Sequence, residues 1–336
     1  MTLIKNYFDL TKKYIFEYGE KTILLMQVGA FYEVYGIRNK TTDQIRNSQI
    51  HDFSKICELN IVDKNICITE IKKDESIVMA GFKDIMIDKY IKKLQEAGYT
   101  TVVYTQDEQT KNTTRNLAGI FSPGTYFNND QDACDGSSSR NKLTNNTMCI
   151  WIESIESKLI EPKGKFVMVG ISNIDIYTGK TTLYQYKETY IHNPTTYDEL
   201  EKFVSIYEPT EVIIISNLST CEIEDIISFS NIKSLLIHKI SLVSANDNTT
   251  NTNEFTKKAR NCEKQVYQKE VIERFYNIND FGVFMQNFYD NSIATQSFCF
   301  LLDFIYQHNP YLVHKISEPS FENNSDRLLL ANHSLR

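Results

Sequence analysis

Apolar residues recur at helical spacing through residues 2–18, where Leu3, Tyr7, Leu10, Tyr14 and Phe16 fall roughly on one side. That spacing predicts an amphipathic helix. The period then shortens. Residues 23–28 form a continuous apolar run read as a buried strand, and a second strand follows the Gly29 break at 31–35. A short helix is predicted at 51–59, with strands at 65–69 and 76–79. The clearest helix is 85–97, with Ile87, Tyr90, Ile91 and Leu94 along one face and Gly98 as its stop. A β-branched strand at 100–105 completes an alternating pattern that predicts a mixed α/β sheet domain.

Residues 128–147 hold Asn, Asp, Gly and Ser with little apolar material, and read as a linker or exposed loop. Closely spaced strands follow at 149–155, 166–172, 175–177 and 181–186. A helix at 197–207, a strand at 211–216, a helix near 222–229 and a strand at 234–238 come next. A β-meander followed by a βαβ unit is the order of an RNase H-like domain. The Asn/Thr-rich stretch 244–256 reads as an exposed insertion, after which 264–276 and 292–307 show helical periodicity. The expected organisation is therefore an α/β chain: a domain at 1–127, a linker at 128–147, a second domain at 148–243, and an all-α region from 257.

Composition narrows the function. The chain of 336 residues has a net charge of −7, against general coating of DNA. The charge is uneven: residues 1–127 carry 17 Lys+Arg against 16 Asp+Glu, the rest 19 against 27. A near-neutral first domain can touch phosphates locally. Seven cysteines form no C-x-x-C pair, which predicts reduced thiols in an intracellular protein without structural zinc. No apolar run is long enough to span a bilayer.

Within Gly29-Ala-Phe-Tyr-Glu-Val-Tyr35, Phe31 and Glu33 stand two apart, so an extended backbone points both to one face. Such a pair suits a DNA wedge: the ring enters a weakened base stack and the carboxylate reaches a base edge. The competing reading is that an aromatic at strand spacing is core. Tyr32, on the opposite face, is expected in the core.

The run Lys21–Tyr35 resembles the opening of the mismatch-recognition domain of MutS-type DNA repair proteins. The resemblance continues in order through Met79-Ala-Gly-Phe82, Tyr90–Tyr99, Val102–Gln106 and Arg115-Asn-Leu-Ala-Gly-Ile-Phe-Ser-Pro-Gly-Thr125. Gly170–Lys180 and Glu208–Ile215 resemble the family's connector domain, and Arg327–Arg336 the start of its lever and core region. Ala30, where many members carry Asp, and Met26-Gln-Val-Gly are closer to the branch found in giant viruses and octocoral mitochondria. The resemblance implies noncatalytic recognition of mismatched or looped duplex DNA from the minor groove, with Phe31 as wedge and Glu33 sharing a proton with a base nitrogen. It also implies a homodimer and downstream repair factors. ATP and Mg²⁺ would act in clamp and ATPase domains beyond residue 336. Arg38, Lys40, Lys83 and Arg115 are candidate backbone contacts, though each could equally be a solvated charge.

Gly179-Lys180-Thr181 imitates a P-loop, but Ile174 stands where its first glycine belongs, so nucleotide binding is not expected there and no catalytic residue is assigned. Two alternatives stay open. An RNase H-like domain could be a metal-dependent nuclease, with Asp175 as one ligand and Asp198, Glu199 or Glu211 as partners. The chain could also be an inactive truncated product whose orphan helices expose apolar faces.

Overall fold

The computed structural model describes residues 3–64, 74–107, 114–125, 144–157, 164–243, 253–278 and 280–322. Two mixed sheets organise them. The first runs β4 (Val62–Lys64), β5 (Glu75–Lys83), β2 (Phe31–Asn39), β1 (Thr22–Val28), β6 (Thr100–Gln106), β7 (Arg115–Phe121), with the two-residue β3 (Ile45–Arg46) also on β2. Only β1 and β6 are parallel; the other pairs are antiparallel.

Strand alternation sends the two sides of β2 to different helices. Tyr32 packs against Phe82, which in turn meets Phe53 of α2 (Ile50–Cys57) and Tyr90 of α3 (Ile87–Glu96). Tyr35, on the other side, meets the edge of Tyr7 from α1 (Leu3–Tyr18) at 5.0 Å. Tyr32 is thus a core residue, as its position predicts. Gly98 follows α3 with φ +82°, a left-handed stop that favours glycine.

The second sheet runs β12 (Leu236–Ser241), β11 (Glu211–Ser216), β8 (Asn146–Ser157), β9 (Gly164–Asp175), β10 (Thr181–Thr189), β13 (Ser320–Phe321). β9 is antiparallel to both neighbours, while β11 is parallel to β8 and β12. That is the RNase H-like order the sequence suggests. Residues 175–177, expected as a separate strand, instead end β9 and turn toward Gly179.

Both faces of this sheet are covered, which explains why β11 is buried along its whole length. Met148, Ile150, Val212 and Ile214 pack with Leu200 and Phe203 of α4 (Asp198–Tyr207) and Ile223 and Ile226 of α5 (Thr220–Phe229). Their alternates Cys149, Trp151, Ile213 and Ile215 join the core of the helical region. That region comprises α6 (Glu254–Cys262), α7 (Gln265–Phe275), α8 (Phe281–Phe284), α9 (Gln286–Tyr289) and α10 (Ser292–His308). Its helices do not stand apart as orphans. Phe298, Cys299, Leu301, Leu302 and Ile305 of α10 are buried, and α10 crosses β9 closely at Gly170. A Cβ there would lie 2.3 Å from Ala294 N.

Residues 146–147 belong to β8 and 254–256 to α6, so the linker and the insertion are each shorter than their composition suggests. The expected strand at 65–69, the linker's residues 128–143, the insertion's 244–252 and the segment 327–336 lie outside the described residues. No described helix is long and apolar enough to cross a membrane.

Candidate nucleic-acid interface

The Phe-x-Glu pair opens the interior strand β2, beside the hairpin turn at one end of the first sheet. Val28 pairs with Phe31, so Gly29 and Ala30 alone make the turn between β1 and β2. Gly29 has φ +60°, a conformation glycine adopts without a Cβ penalty. Three contacts fix the turn: Gly29 N–H donates to Gln106 Oε1 at 3.1 Å, Asp84 N–H to Ala30 O at 3.0 Å, and Arg115 Nε to Gln27 O at 2.7 Å. The Ala30 side chain is exposed and holds none of these. Phe31 is 45% exposed at this lip.

Glu33 is placed differently from its neighbour. It lies on the same strand face, but its residue is only 6% exposed. Its Oε2 accepts from the Tyr35 hydroxyl and from Lys64 Nζ, and Lys64 Nζ also lies 3.2 Å from the Tyr35 hydroxyl. Burial first, and then the hydrogen bond and charge of Glu33, push the Tyr35 phenol far up, so it remains a donor. Glycine at 81, opposite Glu33 in the register, leaves room for the carboxylate: a Cβ there would sit 3.2 Å from Glu33 Cγ and 2.6 Å from Tyr32 O.

The four candidate cations divide into two pairs. Lys83 pairs directly with Phe31 across β5 and β2, and so shares its face. Arg115 reaches the base of the same hairpin through Gln27 O, close enough for Tyr35 and Glu33 to oppose the lowering of its pKa by burial. Arg38 and Lys40 lie toward the far end of β2, seven and nine residues on, or roughly 23–30 Å at strand rise. Arg38 is moreover engaged by Asp43 at 3.3 Å and Asp63 at 3.4 Å. These two cannot serve a phosphate beside Phe31.

The acidic residues named for a nuclease do not converge among the described residues. Asp175 Oδ1 accepts from Asn145 N and Tyr177 N, and its Oδ2 from Thr178 Oγ1, which caps the turn after β9. Glu199 meets the Tyr184 hydroxyl and Lys202. Asp198 opens α4. No cluster of three potential metal ligands occurs among the described residues. Gly179 is a tight turn rather than a phosphate loop: its carbonyl accepts from Ser317 N, and a Cβ would meet Lys315 O at 1.8 Å.

Glu211 has a role that its sequence position does not suggest. Its carboxylate is fully buried where the first sheet's last segment meets the second sheet. Oε2 accepts from Ser122 Oγ at 2.6 Å and Gly124 N at 2.7 Å, and Oε1 from His238 Nε2 at 2.7 Å. Burial alone would raise this pKa; the hydrogen bond and charge of His238, with His308 and Ser122, outweigh it and hold the carboxyl below its usual range. A Cβ at Gly124 would lie 2.6 Å from Glu211 Cβ, so the Ser-Pro-Gly-Thr segment is the socket that receives this glutamate. The hint in the sequence is that glycine, recognisable only once its neighbour is known.

The site is thus a hairpin with an exposed phenylalanine and a clamped glutamate two residues on, backed by an α/β sheet. Residues 2–130 match the family model of MutS domain I. Over 99% of its length the chain is 22% identical to a putative mutS-homologue DNA mismatch repair protein of Acanthamoeba polyphaga mimivirus, covering 29% of that protein. Over 63% of its length it is 26% identical to the DNA mismatch repair protein MutS of Parabacteroides distasonis, covering 19% of that protein. Residues 2–130 belong to the MutS domain I family, and the chain as a whole is similar to MutS-type mismatch repair proteins. It spans less than a third of the length of either relative.

Proposed function

We propose that this chain recognises mismatched or distorted duplex DNA, with Phe31 as an intercalating wedge and Glu33 as the base contact. The observation that carries this reading is the hairpin lip. A half-exposed Phe31 ring stands on a two-residue turn, with Lys83 beside it and Arg115 at its base. Inserting a ring into a duplex costs a few kcal/mol of unstacking. A mismatched or unpaired base has already lost part of that stacking, so the wedge enters there preferentially and reads deformability. Lys83 and Arg115 are the cations that can meet phosphates on either side.

ATP and Mg²⁺ belong, in this reading, to further domains of a full-length family protein, acting as a homodimer with downstream repair factors. This chain contributes recognition and the sheet that passes it on. The test is fluorescence anisotropy at low salt with matched and single-mismatch duplexes, using wild type and Phe31→Ala. Preference for the mismatch in wild type, lost in Phe31→Ala, is the expected result. Equal affinity for both duplexes, indifferent to the mutation, overturns the reading.

A further inference from the structure

A carboxylate at a DNA-facing edge is an electrostatic liability, because it faces phosphate charge. The structure answers this at Glu33 with partners outside the Phe-x-Glu motif. Lys64 comes from the short edge strand β4, and its ammonium crosses the Tyr35 ring at 4.9 Å from the centroid to reach Glu33. Tyr35 is held in turn by the edge of Tyr7, whose hydroxyl donates to Leu24 O at 3.2 Å. Both donors bind the same carboxylate oxygen, Oε2. No described residue donates to Oε1, and that oxygen is not sealed from solvent.

We infer that Lys64 and Tyr35 are positioning residues for base recognition: they clamp Oε2, offset the charge of Glu33 against the duplex, and leave Oε1 as the single acceptor for a donor on the base edge. The inference rests on the mismatch-recognition reading. One oxygen is fixed by protein and the other is reserved for DNA, so the carboxylate arrives already oriented. Without Lys64 the side chain keeps only the Tyr35 hydroxyl and brings uncompensated negative charge to the groove. Without the Tyr35 hydroxyl it keeps the charge partner but loses half of its orientation.

The experiment measures mismatch-to-match affinity ratios for wild type, Phe31→Ala, Glu33→Gln, Lys64→Met, Lys64→Arg, Tyr35→Phe and the Lys64→Met/Glu33→Gln pair. Lys64→Met keeps an unbranched apolar stem over the Tyr35 ring and removes the charge. We expect it to lower the ratio about tenfold, within the range of one good base contact. Lys64→Arg should recover much of that loss, and Tyr35→Phe should show a smaller one. The double variant should be no worse than Glu33→Gln alone, because both changes act on one contact. Urea midpoints measured alongside separate this from a structural role, which would move the midpoint and leave the ratio unchanged. A wild-type preference that needs Phe31 but survives Lys64→Met overturns the clamp and leaves the recognition reading standing. A wild type without preference overturns both.

Discussion

Two of the buried carboxylates, Glu211 and Glu33, are each paired with a nitrogen group, yet their remaining surroundings are opposite. Glu211 is sealed, and both its oxygens are taken by Ser122, Gly124 and His238. Glu33 spends one oxygen on two donors and leaves the other with solvent access, beside an exposed phenylalanine. Complete satisfaction marks a carboxylate that holds protein together, since any lost partner strands a buried charge. Partial satisfaction beside an exposed hairpin lip leaves an acceptor for the base contact proposed above.

The largest effect should come from removing the sealed carboxylate. Glu211→Ala leaves Gly124 N, Ser122 Oγ and His238 without their acceptor between two sheets. A loss of roughly 3–5 kcal/mol is expected, the usual consequence of breaking a buried pair from one side. Urea unfolding followed by Trp151 fluorescence reads it, because that side chain is buried in the adjoining core. A midpoint close to wild type would erase the distinction drawn between the two sites.

Acid should act on the same junction next. His308 lies at the end of α10, with Glu211, His238, Lys258 and the Phe304 carbonyl as its polar surroundings. Burial lowers its pKa from 6.5 to about 4, outweighing the opposing influence of Glu211. The unfolded chain therefore binds this proton first as pH falls, and stability drops between about pH 6.5 and 4, by roughly 3 kcal/mol at most. Glu211, with its carboxyl held low, adds a loss of the same sign at the lower end of the window. Urea midpoints against pH for wild type and His308→Phe test this: the variant should lose most of the slope above pH 4.5.

These two sites also show how much of the chain could be read from its residues. The hairpin was legible because it is local: alternation in Gly29–Tyr35 places Phe31 and Glu33 on one face whatever the rest of the fold does. The order of strands in the second sheet was legible for the same reason, through short apolar runs separated by turn residues. Lys64 was not, because it stands 31 residues from Glu33 on a three-residue strand that carries no pattern of its own. In the sequence Glu211 is only one of three carboxylates that could partner Asp175 as metal ligands, with no strand-end position to favour it. Its actual partners lie 27 to 89 residues away and meet it only through the packing of two sheets. Charges at long sequence separation have no period to betray them.

Gly81→Ala probes the Glu33 site through its backbone. The added methyl would come within 2.6 Å of Tyr32 O and 3.2 Å of Glu33 Cγ, so β2 and β5 must part slightly or the carboxylate must move. A destabilisation of about 1–3 kcal/mol is expected from such overpacking. The mismatch-to-match ratio should fall with it, because the displaced carboxylate no longer meets Lys64 and Tyr35 together. An unchanged ratio would show that the orientation of Glu33 is irrelevant to recognition.

The smallest change in stability, and the sharpest contrast with Glu211, should come from Glu33→Gln. The amide keeps the shape and can still accept from the Tyr35 hydroxyl. Lys64 loses its counter-ion, but its side chain is 24% exposed and can turn to water instead of standing stranded. A loss of about 1 kcal/mol or less is therefore expected, as for ion pairs that retain solvent access. Mismatch discrimination should nonetheless fall well beyond what that stability change could cause. A midpoint drop comparable with that of Glu211→Ala, without loss of discrimination, would make Glu33 a second structural carboxylate and leave the hairpin lip with Phe31 alone to read DNA.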